Sequence, residues 1–260
     1  MRKRALANRW EALERSFRER RHSALLAAIV TAFVVRPLIG DTGLAPVVFS
    51  SSLLVLMLIA LYNIQIDDMV GEREHLVAQR RRRSIIAWVL VAVAISERVA
   101  VLISPQPRLL VVSSICWLLF FGFVTWCELR SVLGQREVTG ETISMSISVY
   151  LLLGLTWGAF YIVLYQVQPD AFSFGPSPAS GPGPANSQAH LFPICIYFSL
   201  TTLATIGYGD ITPLTLQARY AAVAEGITGQ FYLAILVARL VSMHMSRAER
   251  QDDRRRSGHP

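Results

Sequence analysis

The chain has 260 residues, 53% hydrophobic and 17% charged, with 25 Lys+Arg against 18 Asp+Glu and a net charge of +7; its mean hydropathy is +0.42. Soluble domains carry roughly 25% charged residues, so this composition excludes an ordinary soluble enzyme and makes the placement of the charges the informative quantity. Six apolar stretches, 23–40, 46–66, 84–104, 107–127, 145–167 and 214–242, hold only seven of the 43 charges and are predicted to be membrane helices. Cys116, Cys127 and Cys195 are odd in number and two lie in apolar stretches, so no disulfide framework is expected.

Residues 1–22 place Leu6, Trp10, Leu13 and Phe17 on one stripe of an otherwise Arg-rich helix. This predicts a cytoplasmic, basic, amphipathic segment lying on the anionic inner leaflet, as a passive anchor more than a lipid sensor. The basic residues then set the topology. Twenty-one of the 25 fall in 1–22, 65–83, 128–144 and 239–260, and the other four, Arg36, Arg98, Arg108 and Arg219, fall on the opposite side. Lys and Arg are retained on the cytoplasmic side, so both termini are predicted to be cytoplasmic in a multi-pass protein of the plasma membrane, the inner membrane of a bacterium. The expected organisation is a four-helix membrane domain at 23–128, a cytoplasmic linker at 129–144, a second membrane unit at 145–246 and a basic cytoplasmic tail at 247–260. Neither terminal segment is long enough to fold as a ligand-sensing domain.

The fourth apolar stretch, 107–127, has one basic residue, Arg108, at its outer end. Steep voltage dependence needs three to four charges per subunit crossing the field, so weak or absent voltage gating is expected. Arg36, Glu97 and Arg98 sit at similar outer depths and are expected to pair within the bundle.

After the fifth stretch, residues 168–213 contain no Lys or Arg and are predicted to lie outside. The Pro- and Gly-rich part, 168–190, is expected to form a turret that cannot bury a core. Pro193 then begins an apolar run, 193–203, too short to span, which is predicted to be a re-entrant helix with Pro in its first turn.

Directly behind that run stands Thr205-Ile206-Gly207-Tyr208-Gly209-Asp210. This hexapeptide, with the short helix before it and the long helix after it, resembles the filter of the pore-loop potassium channels, T-[VI]-G-Y-G-D. The resemblance implies potassium sites formed by the carbonyls of Thr205, Ile206, Gly207 and Tyr208, with the Thr205 hydroxyl closing the inner end and Asp210 at the outer mouth. Rings of carbonyls replace the water an ion sheds. Gly207 and Gly209 permit the positive φ that turns successive carbonyls to one side. Tyr197 and Phe198 stand where the family has an aromatic cuff and are expected to brace Tyr208. Thr202 belongs with them as filter support, as does Thr201, which occupies the position where the family often has an acid.

The sixth stretch, 214–242, spans about 43 Å as a helix at 1.5 Å per residue. By ungapped alignment from Asp210, Gly229 falls at the family's hinge position, with close helix packing an equally good reading. Gln230, Leu233 and Val237 are expected to face a cavity. Glu225, a mid-membrane acid, is a functional candidate for the gate or cavity, or else pairs behind the pore helix.

The sequence therefore predicts an all-α integral membrane protein: six transmembrane helices, a re-entrant pore helix and filter between the last two, and a homotetrameric pore. It implies a potassium channel and not an enzyme, with no cofactor beyond potassium ions in the filter, and with potassium and membrane lipids as partners. The basic excess lies on the cytoplasmic face, so nucleic acid is not expected. A weakly selective cation channel, a potassium transporter and an accessory subunit are the alternatives.

Overall fold

The computed structural model describes residues 21–39, 45–70, 107–135, 139–174 and 188–257, with isolated positions between 85 and 92. The N-terminal amphipathic segment, most of the third apolar stretch with Glu97 and Arg98, the Arg36 side chain and residues 175–187 of the expected turret lie outside the described residues.

The elements are α1 (Arg21–Ile39), α2 (Ala45–Val70), α3 (Pro107–Gly134), α4 (Gly140–Val167), a 3-10 turn (Pro169–Ala171), β1 (Phe172–Phe174), α5 (Gln188–Leu203), β2 (Ile211–Pro213) and α6 (Leu216–Ser257). Leu109–Gly134, Gly140–Val167 and Leu216–Ser242 are each long and apolar enough to cross a membrane, while His22–Val34, Ser51–Asn63 and Leu191–Leu203 are shorter apolar helical stretches.

Helix α4 is the axis of the packing. One core joins Leu25 and Ile29 of α1, Leu56 and Met57 of α2, Trp117, Phe120 and Phe121 of α3, and Leu152 and Leu155 of α4. Phe121 reaches on to Phe192 of α5 at 6.3 Å between ring centroids, linking the first helices to α5. Against α5, α4 presents Gly154 and Gly158, four residues apart. A Cβ at Gly154 would sit 2.6 Å from Leu200 Cδ2, and one at Gly158 would sit 3.1 Å from Ile196 Cα, so a larger residue at either position would require α5 or its side chains to shift.

Helix boundaries differ from the sequence expectation wherever an apolar run was equated with a helix. Helix α4 starts at Gly140 and not at 145, because Thr139 and Thr142 form a reciprocal capping box ahead of the apolar run. Helix α5 starts at Gln188, so Pro193 lies inside it and not at its start; there it removes one backbone hydrogen bond of the second turn. Helix α6 starts two residues after 214 and runs past 242 to Ser257. No Gly or Pro interrupts 243–257, and a change from apolar to charged residues does not by itself end a helix.

The segment after α4 is a second correction. Instead of leaving directly into a turret, Phe172–Phe174 pairs antiparallel with Ile211–Pro213, in the register Phe172↔Pro213, Ser173↔Thr212 and Phe174↔Ile211. Leu214 N–H donates to the Ala171 carbonyl at 2.8 Å, extending the strap. Thr215 caps α6, accepting from Ala218 N–H at 3.4 Å and donating to Gln168 Oε1 at 3.3 Å. This small sheet ties the chain just after residue 210 to the top of α4.

On the side that carries the helix ends, the Glu141 carboxylate accepts from Ser23 Oγ at 2.6 Å and His22 N–H at 3.2 Å, capping α1. His22 Nδ1 lies 3.3 Å from Glu128 of α3. Arg239 of α6 donates to the carbonyls of Leu133 and Gln135 at 2.6 and 2.8 Å, closing the end of α3.

Candidate functional site

The site grows out of the end of α5. Thr205 N–H donates to the Thr202 carbonyl at 3.0 Å, and Ile206 N–H to the Thr201 carbonyl at 2.8 Å. These are the two bonds of a Schellman motif, with Thr205 in the left-handed C′ position. Its φ is +56°. Glycine normally fills that position, and a β-branched residue there is strained. Gly207 N–H also reaches the Thr201 carbonyl, at 3.2 Å, so one helix-end carbonyl holds two successive residues of the following strand.

The positive φ recurs at every second residue: Thr205 at +56°, Gly207 at +55° and Gly209 at +79°. Successive carbonyls of an ordinary strand alternate in direction, and inverting the handedness of every second residue turns them to one side. Residues 204–210 are all exposed on the single chain, although Ile206 and Tyr208 are large and apolar. Neither Gly207 nor Gly209 has an atom within 4 Å of where a Cβ would stand, so their need is for backbone conformation and not for space.

Tyr208 lies parallel to Tyr197, with ring centroids 6.4 Å apart and planes 3° from parallel. The Tyr197 hydroxyl donates to Asp210 Oδ2 at 2.8 Å, while Asp210 Oδ1 accepts from Ile211 N–H at 3.1 Å. The bond to Asp210 is the main cause that holds the Tyr197 hydroxyl above the ordinary tyrosine range. Nothing in the sequence paired these two residues, which lie 13 positions apart. Tyr197→Phe keeps the ring and removes one exposed, solvent-screened bond, so the unfolding temperature is expected to fall by less than about 4 °C. A larger fall would assign the hydroxyl a larger part.

Phe198, expected beside Tyr208, is turned away from it. It packs edge-on against Tyr161 at 5.0 Å and Phe172 at 5.3 Å, because adjacent residues on a helix face different sides. Thr201 is buried, and its hydroxyl donates to the Phe198 carbonyl at 2.9 Å. Thr202 contributes its carbonyl to the Schellman motif.

On α6 the structure separates the five residues grouped as gate or cavity candidates. Gln230, Leu233 and Val237 stand exposed on the single chain. Glu225 and Gly229 are buried. Glu225 is fully enclosed behind α5, where Oε2 accepts from the Tyr161 hydroxyl at 2.6 Å and Oε1 lies 2.5 Å from Ser199 Oγ. Gly229 abuts the last residue of α5: a Cβ there would fall inside contact distance of the Leu203 carbonyl and 2.9 Å from Leu203 Cδ1.

Residues 149–246, which contain this whole arrangement, match the ion channel family. The chain is also 33% identical over 120 residues to Protein LctB of Bacillus caldotenax, a stretch covering 46% of this chain and 85% of that protein. It is 32% identical over 78 residues to Potassium channel protein kcv of Paramecium bursaria Chlorella virus 1, covering 30% of this chain and 78% of the relative. The chain belongs to the pore-loop potassium channel superfamily. Two-pore potassium channel 4 of Arabidopsis thaliana shares 32% identity over 108 residues, which is 42% of this channel and 33% of that longer protein. Membership makes this chain a membrane channel protein and not an enzyme. The matched region begins within α4, so α1, α2 and α3 lie outside it.

Proposed function

We propose that the chain forms a potassium-selective channel as a homotetramer with six membrane helices per subunit, both termini cytoplasmic, in the plasma membrane. The observation that carries this reading is the alternation of positive φ at Thr205, Gly207 and Gly209 immediately beyond the end of α5. Four such strands around one axis supply rings of carbonyl oxygens from Thr205, Ile206, Gly207 and Tyr208, in which potassium ions are the only cargo and no cofactor takes part. Helix α5 then acts as the re-entrant pore helix. Its C-terminal dipole points toward the ion path, where it favours cations.

The tetramer follows from incompleteness. One chain carries one filter strand, and a closed ring needs about four. Tyr220, Val223, Ile227, Phe231 and Ile235 of α6 are all exposed on the single chain, an apolar surface available to neighbouring subunits and to lipid. The Arg-rich N-terminal segment rests on anionic lipids of the inner leaflet. The relatives named as potassium channels support the choice of ion.

Reconstitution of the purified protein in vesicles tests the proposal. Potassium uptake is expected to exceed sodium uptake, and the conductance–voltage relation to move fewer than about one gating charge per subunit, since steep dependence requires three to four. Equal uptake of the two ions would replace the proposal with a weakly selective cation channel. A stable monomer in native mass measurement would remove the channel mechanism and favour an accessory or transporter role.

A further inference from the structure

Glu225 raises a question of hydrogen counting. Three oxygens surround or extend from its carboxyl group: the Tyr161 hydroxyl at 2.6 Å from Oε2, Ser199 Oγ at 2.5 Å from Oε1, and the Gly154 carbonyl at 2.7 Å from that same Ser199 Oγ. A tyrosine and a serine hydroxyl have one hydrogen each. If Glu225 were a carboxylate, two hydrogens would have to serve three close oxygen pairs. Tyr161 satisfies the first. The single Ser199 hydrogen then points either at Oε1 or at Gly154, and the other pair is left with lone pairs face to face.

One further hydrogen, on Oε1, completes the set. Tyr161 then donates to Oε2, Oε1–H donates to Ser199 Oγ, and Ser199 donates to the Gly154 carbonyl. The surroundings favour this count. Among the described residues, the groups that interact with the carboxyl are Ser199 of α5 with Tyr161 and Tyr150 of α4, none of them a cation, and Cys195 of α5 stands beside Tyr161. The carboxyl is fully enclosed, and a bare charge in such a place is costly unless it is paired.

The chain of bonds joins α4, α5 and α6 at one level. Ser199 is two residues before Thr201, whose carbonyl holds the N–H groups of Ile206 and Gly207. We infer that Glu225 is held as a neutral carboxylic acid, and that Tyr161, Glu225, Ser199 and Gly154 form a positioning relay that fixes the pore helix and, through Thr201, the inner end of the filter. The filter part of this inference rests on the function proposed above.

Infrared spectroscopy of the full-length protein in lipid tests the proton directly. A protonated-carboxyl band, shifted in heavy water and absent from Glu225→Gln, is expected at neutral pH. Absence of any such difference between parent and Glu225→Gln overturns the inference, whether or not the protein conducts. The flux arm uses rescue. Gln offers an amide hydrogen where the acid proton stood, so Glu225→Gln retains potassium flux within about twofold. Glu225→Val leaves the buried Tyr161 hydroxyl without its acceptor and Ser199 Oγ without its donor, and lowers flux by at least about tenfold. A Glu225→Gln protein that assembles yet falls as far as Glu225→Val would show that the carboxylate is required, against the inference. Should Glu225→Val fail to assemble, Tyr161→Phe serves in its place: freeing Oε2 of its donor is expected to move the carboxyl band, and an unmoved band counts against the relay.

Discussion

Gly207→Ala is expected to abolish the proposed potassium-selective uptake while leaving the helices intact. Gly207 has a φ of +55° with no atom within 4 Å of the position a Cβ would take, so the substitution meets no neighbour within the chain. Its cost is conformational, about 1–2 kcal/mol for an L-residue held in the left-handed region, and it recurs in every subunit of the proposed tetramer. The cheaper escape is a peptide rotation to negative φ, which turns a carbonyl out of the proposed row and leaves a potassium ion without part of its ring. Gly209, at +79°, is expected to behave alike. Circular dichroism and native mass measurement should match the parent, and vesicle uptake of potassium should not exceed that of sodium. Parental selectivity in Gly207→Ala would show that positive φ is dispensable there. Thr205→Gly is the converse: it relieves strain at +56°, so a more stable pore unit that binds potassium less well would show that the threonine is kept for its hydroxyl and not for its backbone.

How much of this was legible in the sequence depends on the range of the interaction involved. The two glycines of the hexapeptide were readable because tolerance of positive φ is a property of that single residue type. Thr205 was not, since nothing about threonine announces a left-handed conformation; the Schellman bonds to Thr201 and Thr202 impose it. The apolar runs located all six of the helices α1–α6 but misplaced at least one end of each. Caps such as Thr139 and turns such as Pro169–Ala171 decide those ends, and the run itself does not. The β1–β2 strap was hidden because Phe172–Phe174 is too short for a period-2 pattern to stand out from Pro- and Gly-rich surroundings. Gly154 and Gly158 were a visible small-xxx-small signature, and their partners Leu200 and Ile196 are explicable once α5 is known to begin before Pro193. The position of Glu225 was reachable from helical spacing alone, because 100° per residue takes it off the Gln230 face. Its partners Tyr161 and Ser199, 64 and 26 residues away, were not.

The same close contact decides what Gly229 does. In an open helix position, Gly→Ala stabilises by about 0.8–1 kcal/mol through lower backbone entropy in the unfolded chain. Gly226, one turn earlier, is such a position, for the nearest atom to its added Cβ is the Thr202 carbonyl at an ordinary 3.9 Å. Gly229 is not, because its Cβ would enter the Leu203 carbonyl and press on Leu203 Cδ1 at 2.9 Å and Cγ at 3.1 Å. Leu203 is fully buried, and its carbonyl accepts from the Tyr150 hydroxyl at 3.3 Å, so the end of α5 has little freedom to withdraw. Overpacking of this kind costs about 1–3 kcal/mol, enough to reverse the gain in helix propensity. Thermal unfolding of the assembled protein should therefore move in opposite directions, up for Gly226→Ala and down for Gly229→Ala. A hinge makes a different prediction. If flexibility were the reason for glycine at 229, alanine there would stiffen α6, raise the unfolding temperature as it does at 226, and alter opening without disturbing assembly. Equal upward shifts with changed conduction only in Gly229→Ala would establish the hinge. A fall in stability shared by both variants would instead mean that α6 packs more tightly along its whole upper half than the contact at Leu203 implies.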